Sequence, residues 1–152
     1  MMKDAKPKKT ALISAVDILA RQEQSERRLT EKLARKGYDA AEITVAIDTL
    51  KEKHYLNDDD ACKRQFDYLY NDSRSSVKQI CAKLMQRGFP ISLVNSVVPR
   101  DIFEREKLAA LKTLRLKYKP SADKQKMMAS LYRSGYDSAA IRSAVAEFLQ
   151  EE

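Results

Sequence analysis

Apolar residues recur along the chain at intervals of three and four, and no segment alternates apolar with polar over the length of a strand. That periodicity predicts helices throughout and no sheet. Three stretches close on the same local pattern: Leu33-Ala-Arg-Lys-Gly37-Tyr38, Leu84-Met-Gln-Arg-Gly88-Phe89 and Leu131-Tyr-Arg-Ser-Gly135-Tyr136. These are the only 3 glycines in 152 residues. A glycine after an apolar helical stretch marks a left-handed residue that ends an α-helix, with the following aromatic folded back on the last turn.

The register extends in both directions. Four residues before each leucine stand Leu29, Ile80 and Met127, and four earlier Ser25, Ser76 and Asp123, all good N-caps. After each glycine come Asp39, Pro90 and Asp137, suited to begin another helix, and Asp39 with Glu42 has capping-box spacing. That next helix carries Ile43, Val94 or Ile141, then Ile47, Val98 or Val145, on one stripe. A further helix precedes each pair. Its expected apolar positions are Leu12, Ala15, Val16, Leu19 and Ala20 in the first; Cys62, Phe66 and Leu69, capped by Asp58, in the second; and Leu108, Leu111, Leu114 and Tyr118 in the third. The second unit runs into Val98-Pro99-Arg100-Asp101 where the others have Leu50 and Phe148, so its third helix should be the shortest.

The fold expected is therefore all-α: three tandem three-helix repeats forming an elongated, curved array of helices crossing near right angles. The divisions are a mobile basic tail at 1–10 and repeats at 11–56, 57–100 and 101–152. The longest apolar runs are four residues and no secretory signal is present, which points to a cytoplasmic protein with no membrane segment. Cys62 and Cys81 stand alone on apolar faces without a metal-binding or disulfide spacing, and are expected as reduced, buried thiols.

Charge narrows the function classes. Lys plus Arg number 29 against 22 Asp plus Glu, a formal +7, divided as +3 over residues 1–56, +2 over 57–100 and +2 over 101–152. A spread of positive charge suits an extended polyanionic or acidic partner. Catalytic groups are scarce. The single histidine, His54, lies in the polar junction Lys51-Glu-Lys-His-Tyr55, and no phosphate-cradling or nucleophile-elbow sequence occurs. The acidic run Asn57-Asp58-Asp59-Asp60 lacks the glycine and distal glutamate of a calcium loop and reads as helix capping. No enzyme, metal or cofactor is expected.

The candidate binding surface is basic. Arg27, Arg28, Lys32, Arg35 and Lys36 fall on the middle helix of the first repeat, with Arg28, Lys32 and Arg35 in one stripe. Lys78, Lys83 and Arg87 continue it in the second repeat, Lys126 and Arg133 in the third. A solvated face, partly neutralised by Glu26 and Glu31, is the competing reading. Aromatics are not interleaved with the strip as a base-stacking platform would require.

Three segments carry a family resemblance. Val16-Asp-Ile-Leu-Ala-Arg21 followed by Ser25-Glu-Arg-Arg-Leu-Thr-Glu-Lys-Leu33 resembles the opening of the RecX family. Tyr55-Leu56-Asn57-Asp58 resembles its Y-L-D-D start of a second repeat, and Ile80, Leu84, Arg87 and Gly88 match its I-x-x-x-L-x-x-[KR]-G. The likeness spans residues 11 to about 150 and departs most at Phe66 to Ser76, where tyrosines and acids replace an Arg-containing helix and a glycine-bearing link. It implies a small monomeric protein that binds the groove of RecA recombinase filaments on single-stranded DNA, with weak nonspecific DNA contact, and restrains the recombinase. The alternative is a helical repeat protein that binds nucleic acid directly, with no recombinase partner.

Overall fold

The computed structural model describes residues 9–151, and among these the backbone is helical with no strand. Nine helices follow in order: α1 (Ala11–Arg21), α2 (Glu26–Arg35), α3 (Ala40–Glu52), α4 (Asp58–Asp72), α5 (Val77–Gln86), α6 (Ile91–Val97), α7 (Phe103–Lys117), α8 (Lys124–Ser134) and α9 (Ser138–Leu149). They form three triplets, each closed over its own apolar cluster. Leu29, Leu33, Ile43, Ile47 and Leu50 fill the first; Phe66, Ile80, Leu84 and Val94 the second; Leu111, Leu114, Met127, Leu131, Ile141 and Phe148 the third. Each such side chain contributes roughly 1.5–3 kcal/mol by leaving water. The expected tail falls mostly on residues 1–8, outside the described residues; Lys9 pairs with Asp17 and Thr10 caps α1.

The glycine register has a single geometric cause. Gly37, Gly88 and Gly135 have φ of +99°, +100° and +85°. That bend lets the N–H of Tyr38, Phe89 and Tyr136 reach back to the carbonyls of Leu33, Leu84 and Leu131 at 3.4, 3.2 and 3.3 Å, while each aromatic side chain enters its triplet's core. The leucine, the glycine and the aromatic of the sequence pattern are the three parts of one helix stop. Ser25, Ser76 and Asp123 cap α2, α5 and α8 as the spacing predicts, and α6, at 7 residues, is the shortest helix.

Four local expectations need correction. The first helix of the first triplet is rotated from its predicted face: Ala11, Ser14 and Ala15 are buried and Val16 is 46% exposed. In α7, Leu108 is likewise outside, and Glu106, Ala109, Ala110 and Thr113 are inside. Alanines win these positions because α1 lies close against α3, and α7 against α9. Asn57, not Asp58, caps α4. Finally, Asp39 accepts the Glu42 N–H, but Glu42 does not return the bond; its carboxylate accepts the N–H of Ala11 at 2.8 Å and so caps α1 instead. His54 is exposed, with φ +63°, and takes after α3 the left-handed position that glycine takes elsewhere.

Successive triplets meet through a junction built twice. At the first, the Ser25 hydroxyl accepts the Arg28 N–H at 3.2 Å and donates to the Arg87 carbonyl at 2.6 Å. At the second, the Ser76 hydroxyl accepts the Gln79 N–H at 3.1 Å and donates to the Ser134 carbonyl at 2.5 Å. A carboxylate from the following triplet takes the helix's first free N–H: Asp58 that of Glu26 at 2.9 Å, Glu106 that of Val77 at 3.3 Å. The approach is close enough that a Cβ on Gly88 would collide with Ser25 Oγ, and one on Gly135 would lie 3.1 Å from Lys78 Cβ. One on Gly37 would meet nothing within 4 Å. The glycine ends a helix in all three triplets and admits a neighbour in two.

The second junction is reinforced by charge. Glu106 is 1% exposed and accepts from the N–H groups of Val77 and Asp137 and from Arg105 at 2.9 Å. Arg105 extends across to the end of α4, where its guanidinium donates to the carbonyls of Tyr70 at 3.0 Å, Ser73 at 3.0 Å and Ser75 at 2.6 Å and lies over the Tyr70 ring. The carbonyls that α4 leaves open are thus satisfied by the next triplet.

Candidate functional site

Each junction leaves a groove beside the aromatic that follows the glycine, and the basic residues collect there. Between the first and second triplets, Arg28, Lys32 and Arg87 line a groove of about 220 Å³ with Glu23, Ser25, Gln65 and Phe89. Arg28 and Lys32 come from α2, and Arg87 from the end of α5, so the groove exists only where two triplets meet. Arg87 donates to Gln65 at 2.7 Å, and Gln65 in turn to Glu23 at 2.9 Å, while Arg64 pairs with Glu23. This network holds Arg87 in place and leaves Arg28 and Lys32 as the groove's available cations.

The same place between the second and third triplets is wider, about 800 Å³, and is lined by Arg74, Lys112, Arg115 and Lys117 with Asp72, Ser73, Ser75, Gln79, Leu116 and Tyr136. Tyr136 closes its floor. Its hydroxyl donates to the Arg74 carbonyl and shares a hydrogen bond with Thr113 at 3.1 Å, and burial pushes its pKa above the usual tyrosine value. In the first triplet the corresponding tyrosine, Tyr38, bonds Ser14 at 2.6 Å and the Lys9 carbonyl at 2.7 Å, beside a cavity of about 370 Å³ lined by Lys9, Asp17, Arg21 and Lys36. All three cavities hold more cations than carboxylates.

The ten basic residues named from sequence are therefore not one surface. Arg28, Lys32 and Arg87 converge on the first groove, whereas Lys36 lines the cavity beside Tyr38. Arg27 is 3.7 Å from Glu31, and the Arg35 Nε points at the Glu31 carbonyl. Lys78 lies against the Gly135 backbone as part of the second junction. Lys83, Lys126 and Arg133 are exposed on their helices and line none of these cavities. Sequence reasoning missed Arg74, Lys112, Arg115 and Lys117, because it followed the middle helices alone. The signal that could have found them is the repeat register itself, carried into the first helix of the following unit.

Among the described residues no group of three or more His, Cys, Asp or Glu could hold a metal ion. Cys62 is buried and Cys81 half-buried; desolvation, with the charge of Asp58 adding to it, pushes the Cys62 thiol up to about 11, which leaves it protonated near neutrality. Asp58 is held above the usual aspartate value, chiefly by desolvation in the first junction. No helix among the described residues is long and apolar enough to cross a membrane.

The comparisons with known proteins agree with this architecture. A family model described as RecX, first three-helix domain, matches residues 11–50, the span of the first triplet. The protein named regulatory protein RecX of Clostridium botulinum (strain Eklund 17B / Type B) is 32% identical over 148 residues, covering 91% of this chain and 68% of that protein. Its namesake in Chlorobaculum tepidum is 31% identical, with 98% and 94% covered. The crystal structure of RecX from Lactobacillus salivarius superposes with a TM-score of 0.79 over 91% of this chain and 94% of that one, at 17% identity, so the fold persists where the sequence has diverged. With its helix order, its glycine stops and relatives 30–31% identical over 81–94% of their length, the chain belongs to the RecX family of regulatory proteins.

Proposed function

We propose that this chain is a non-catalytic, negative modulator of a RecA-type recombinase, acting as a cytoplasmic monomer on the filament that the recombinase forms on single-stranded DNA. The observation that supports this most directly is the convergence of Arg28, Lys32 and Arg87 on one groove across the first junction. A groove shared by two triplets can grip neighbouring protomers of a filament, and its modest contacts with each protomer add up in avidity. Restraint then needs no active site: clamping neighbouring protomers opposes the rearrangement that accompanies nucleotide turnover. Direct contact with single-stranded DNA would be weak and nonspecific, through phosphates alone.

The test is recombinase ATPase and strand exchange with the chain added, for wild type and for Arg28→Glu/Lys32→Glu, with helicity checked by circular dichroism. Wild type should inhibit, and the folded double variant should need at least tenfold more protein for the same effect. Inhibition by wild type should also weaken as salt is raised. Equal inhibition by wild type and variant at low and moderate salt would refute the groove's role. Tight DNA binding with no effect on the recombinase would favour the direct nucleic-acid reading.

A further inference from the structure

The wide groove between the second and third triplets has features that a generic anion site does not need. Arg74, Lys112, Arg115 and Lys117 supply four cations against the single lining carboxylate of Asp72, and among them Leu116 stands 67% exposed. An exposed leucine among cations has no use for a bare phosphate and offers it no hydrogen bond. Nor does the lining hold an exposed ring on which a base could stack, since its one aromatic, Tyr136, is buried. Shape, charge and the leucine together fit an acidic segment of protein that carries an aliphatic side chain.

The chain already supplies one carboxylate to Arg115. Glu151, just past α9 and not part of the lining, accepts from Arg115 Nε at 3.1 Å and from Nη2 at 2.7 Å, in the two-pronged geometry that matches a guanidinium to a carboxylate. The pair leaves its mark on both partners: the Arg115 bond holds the Glu151 carboxyl below its usual value, and Glu151 raises Arg115. The pair is half-exposed and separated by 36 positions in sequence, so it can exchange for a better placed carboxylate without disturbing a core.

We infer that the groove between the second and third triplets docks an acidic peptide segment bearing a leucine-like side chain, with Lys112, Lys117 and Arg74 meeting its carboxylates and Leu116 its aliphatic group, and with Glu151 occupying Arg115 until the segment arrives. This surface is separate from the groove that the proposed recombinase role uses, and its test contains no recombinase, so each can fail without the other.

The experiment is fluorescence anisotropy of a fluorescein-labelled peptide with one leucine between runs of glutamate, titrated with the full chain at low and moderate salt. Labelled oligothymidine and a peptide with serine for leucine serve as comparators. Saturable binding of the leucine peptide is expected, weakened at least tenfold by Lys112→Glu/Lys117→Glu and several-fold by either the serine peptide or Leu116→Ser. Glu151→Gln, which releases Arg115, should tighten it. The three substituted positions other than Glu151 are exposed, and circular dichroism checks that each variant keeps its helices. Affinity indifferent to the two lysines, equal affinity for the serine and leucine peptides, or oligothymidine outcompeting the peptide at these lysines would each overturn the inference.

Discussion

The three glycines permit a controlled measurement of what a junction is worth. Gly37 and Gly88 have almost the same backbone, φ +99° and +100°, so alanine incurs nearly the same conformational cost at each, about 1–2 kcal/mol. Their surroundings differ. A methyl at Gly37 enters open space, while one at Gly88 collides with Ser25 Oγ and lies 2.9 Å from Arg28 Cγ. To make room, Ser25 must abandon its bond to the Arg87 carbonyl and its cap on α2. Those contribute about 1 kcal/mol apiece. Gly88→Ala should therefore cost about 2 kcal/mol more than Gly37→Ala. Gly135→Ala should fall between them, because there the methyl meets Lys78 Cβ at 3.1 Å and Cδ at 3.2 Å, part of a long side chain that can shift. Urea unfolding followed by circular dichroism at 222 nm gives the comparison, and Ser25→Ala supplies the control: with the hydroxyl and both its bonds already gone, most of the extra cost of Gly88→Ala should disappear. If Gly37→Ala destabilises as much as Gly88→Ala, the glycine is required only by the helix stop, and the junction argument fails.

Glu106→Ala should destabilise by about 3 kcal/mol in the same unfolding assay, since it leaves Arg105, 11% exposed, without its carboxylate and strands the N–H groups of Val77 and Asp137; a loss under 1 kcal/mol would show that water replaces the carboxylate freely. Tyr136→Phe removes the hydroxyl bridge from Thr113 to the Arg74 carbonyl and should cost about 1 kcal/mol, a modest loss because Phe89 fills the same place in the second triplet without a hydroxyl. Asp58 gives a pH test. Its folded pKa is raised by desolvation, so its favourable contribution is fully present below the ordinary aspartate value and is lost as pH rises through the raised one. Asp58→Asn keeps an acceptor for the Glu26 N–H and cannot titrate; wild type should lose stability relative to this variant on going from strongly acid to neutral pH, and parallel stability curves would refute the assignment.

How much of this could be read from the chain depended on whether the cause was local. Helix stops and caps involve residues within six positions of one another, and Leu33-x-x-x-Gly37-Tyr38, Ser25, Ser76 and Asp137 announced themselves. The faces of α1 and α7 did not. A periodicity argument weighs Val16 and Leu108 above Ala11 and Ala109, yet close helix packing selects the smaller residue, and Glu106 is buried only because two helix N-termini and Arg105 converge on it. The grooves were half legible. Arg28 and Lys32 stood out as a stripe with Arg35, but what separates them from Arg35 is that Gln65 and Arg87 of the neighbouring triplet close a groove with them, and a junction between units about fifty residues apart leaves no mark in a window of one helix.

The junctions also arrange the middle helices electrically. The C-terminal end of α8 meets the N-terminus of α5 through Ser134 and Ser76, and the end of α5 meets the N-terminus of α2 through Arg87 and Ser25. Three peptide macrodipoles are thus connected in series, and at each contact the negative pole of one offsets the positive pole of the next. Uncompensated poles remain at only two places: the start of α8, where Asp123 puts a carboxylate on the positive end, and the finish of α2, where Lys32, Arg35 and Lys36 gather on the negative end. Part of the positive charge on α2 is therefore a counterweight to the one carbonyl end of the series that no neighbouring helix meets, and replacing Arg35 or Lys36 by glutamate would unbalance that last turn while leaving the two inner contacts, beyond the reach of a screened charge, as they are.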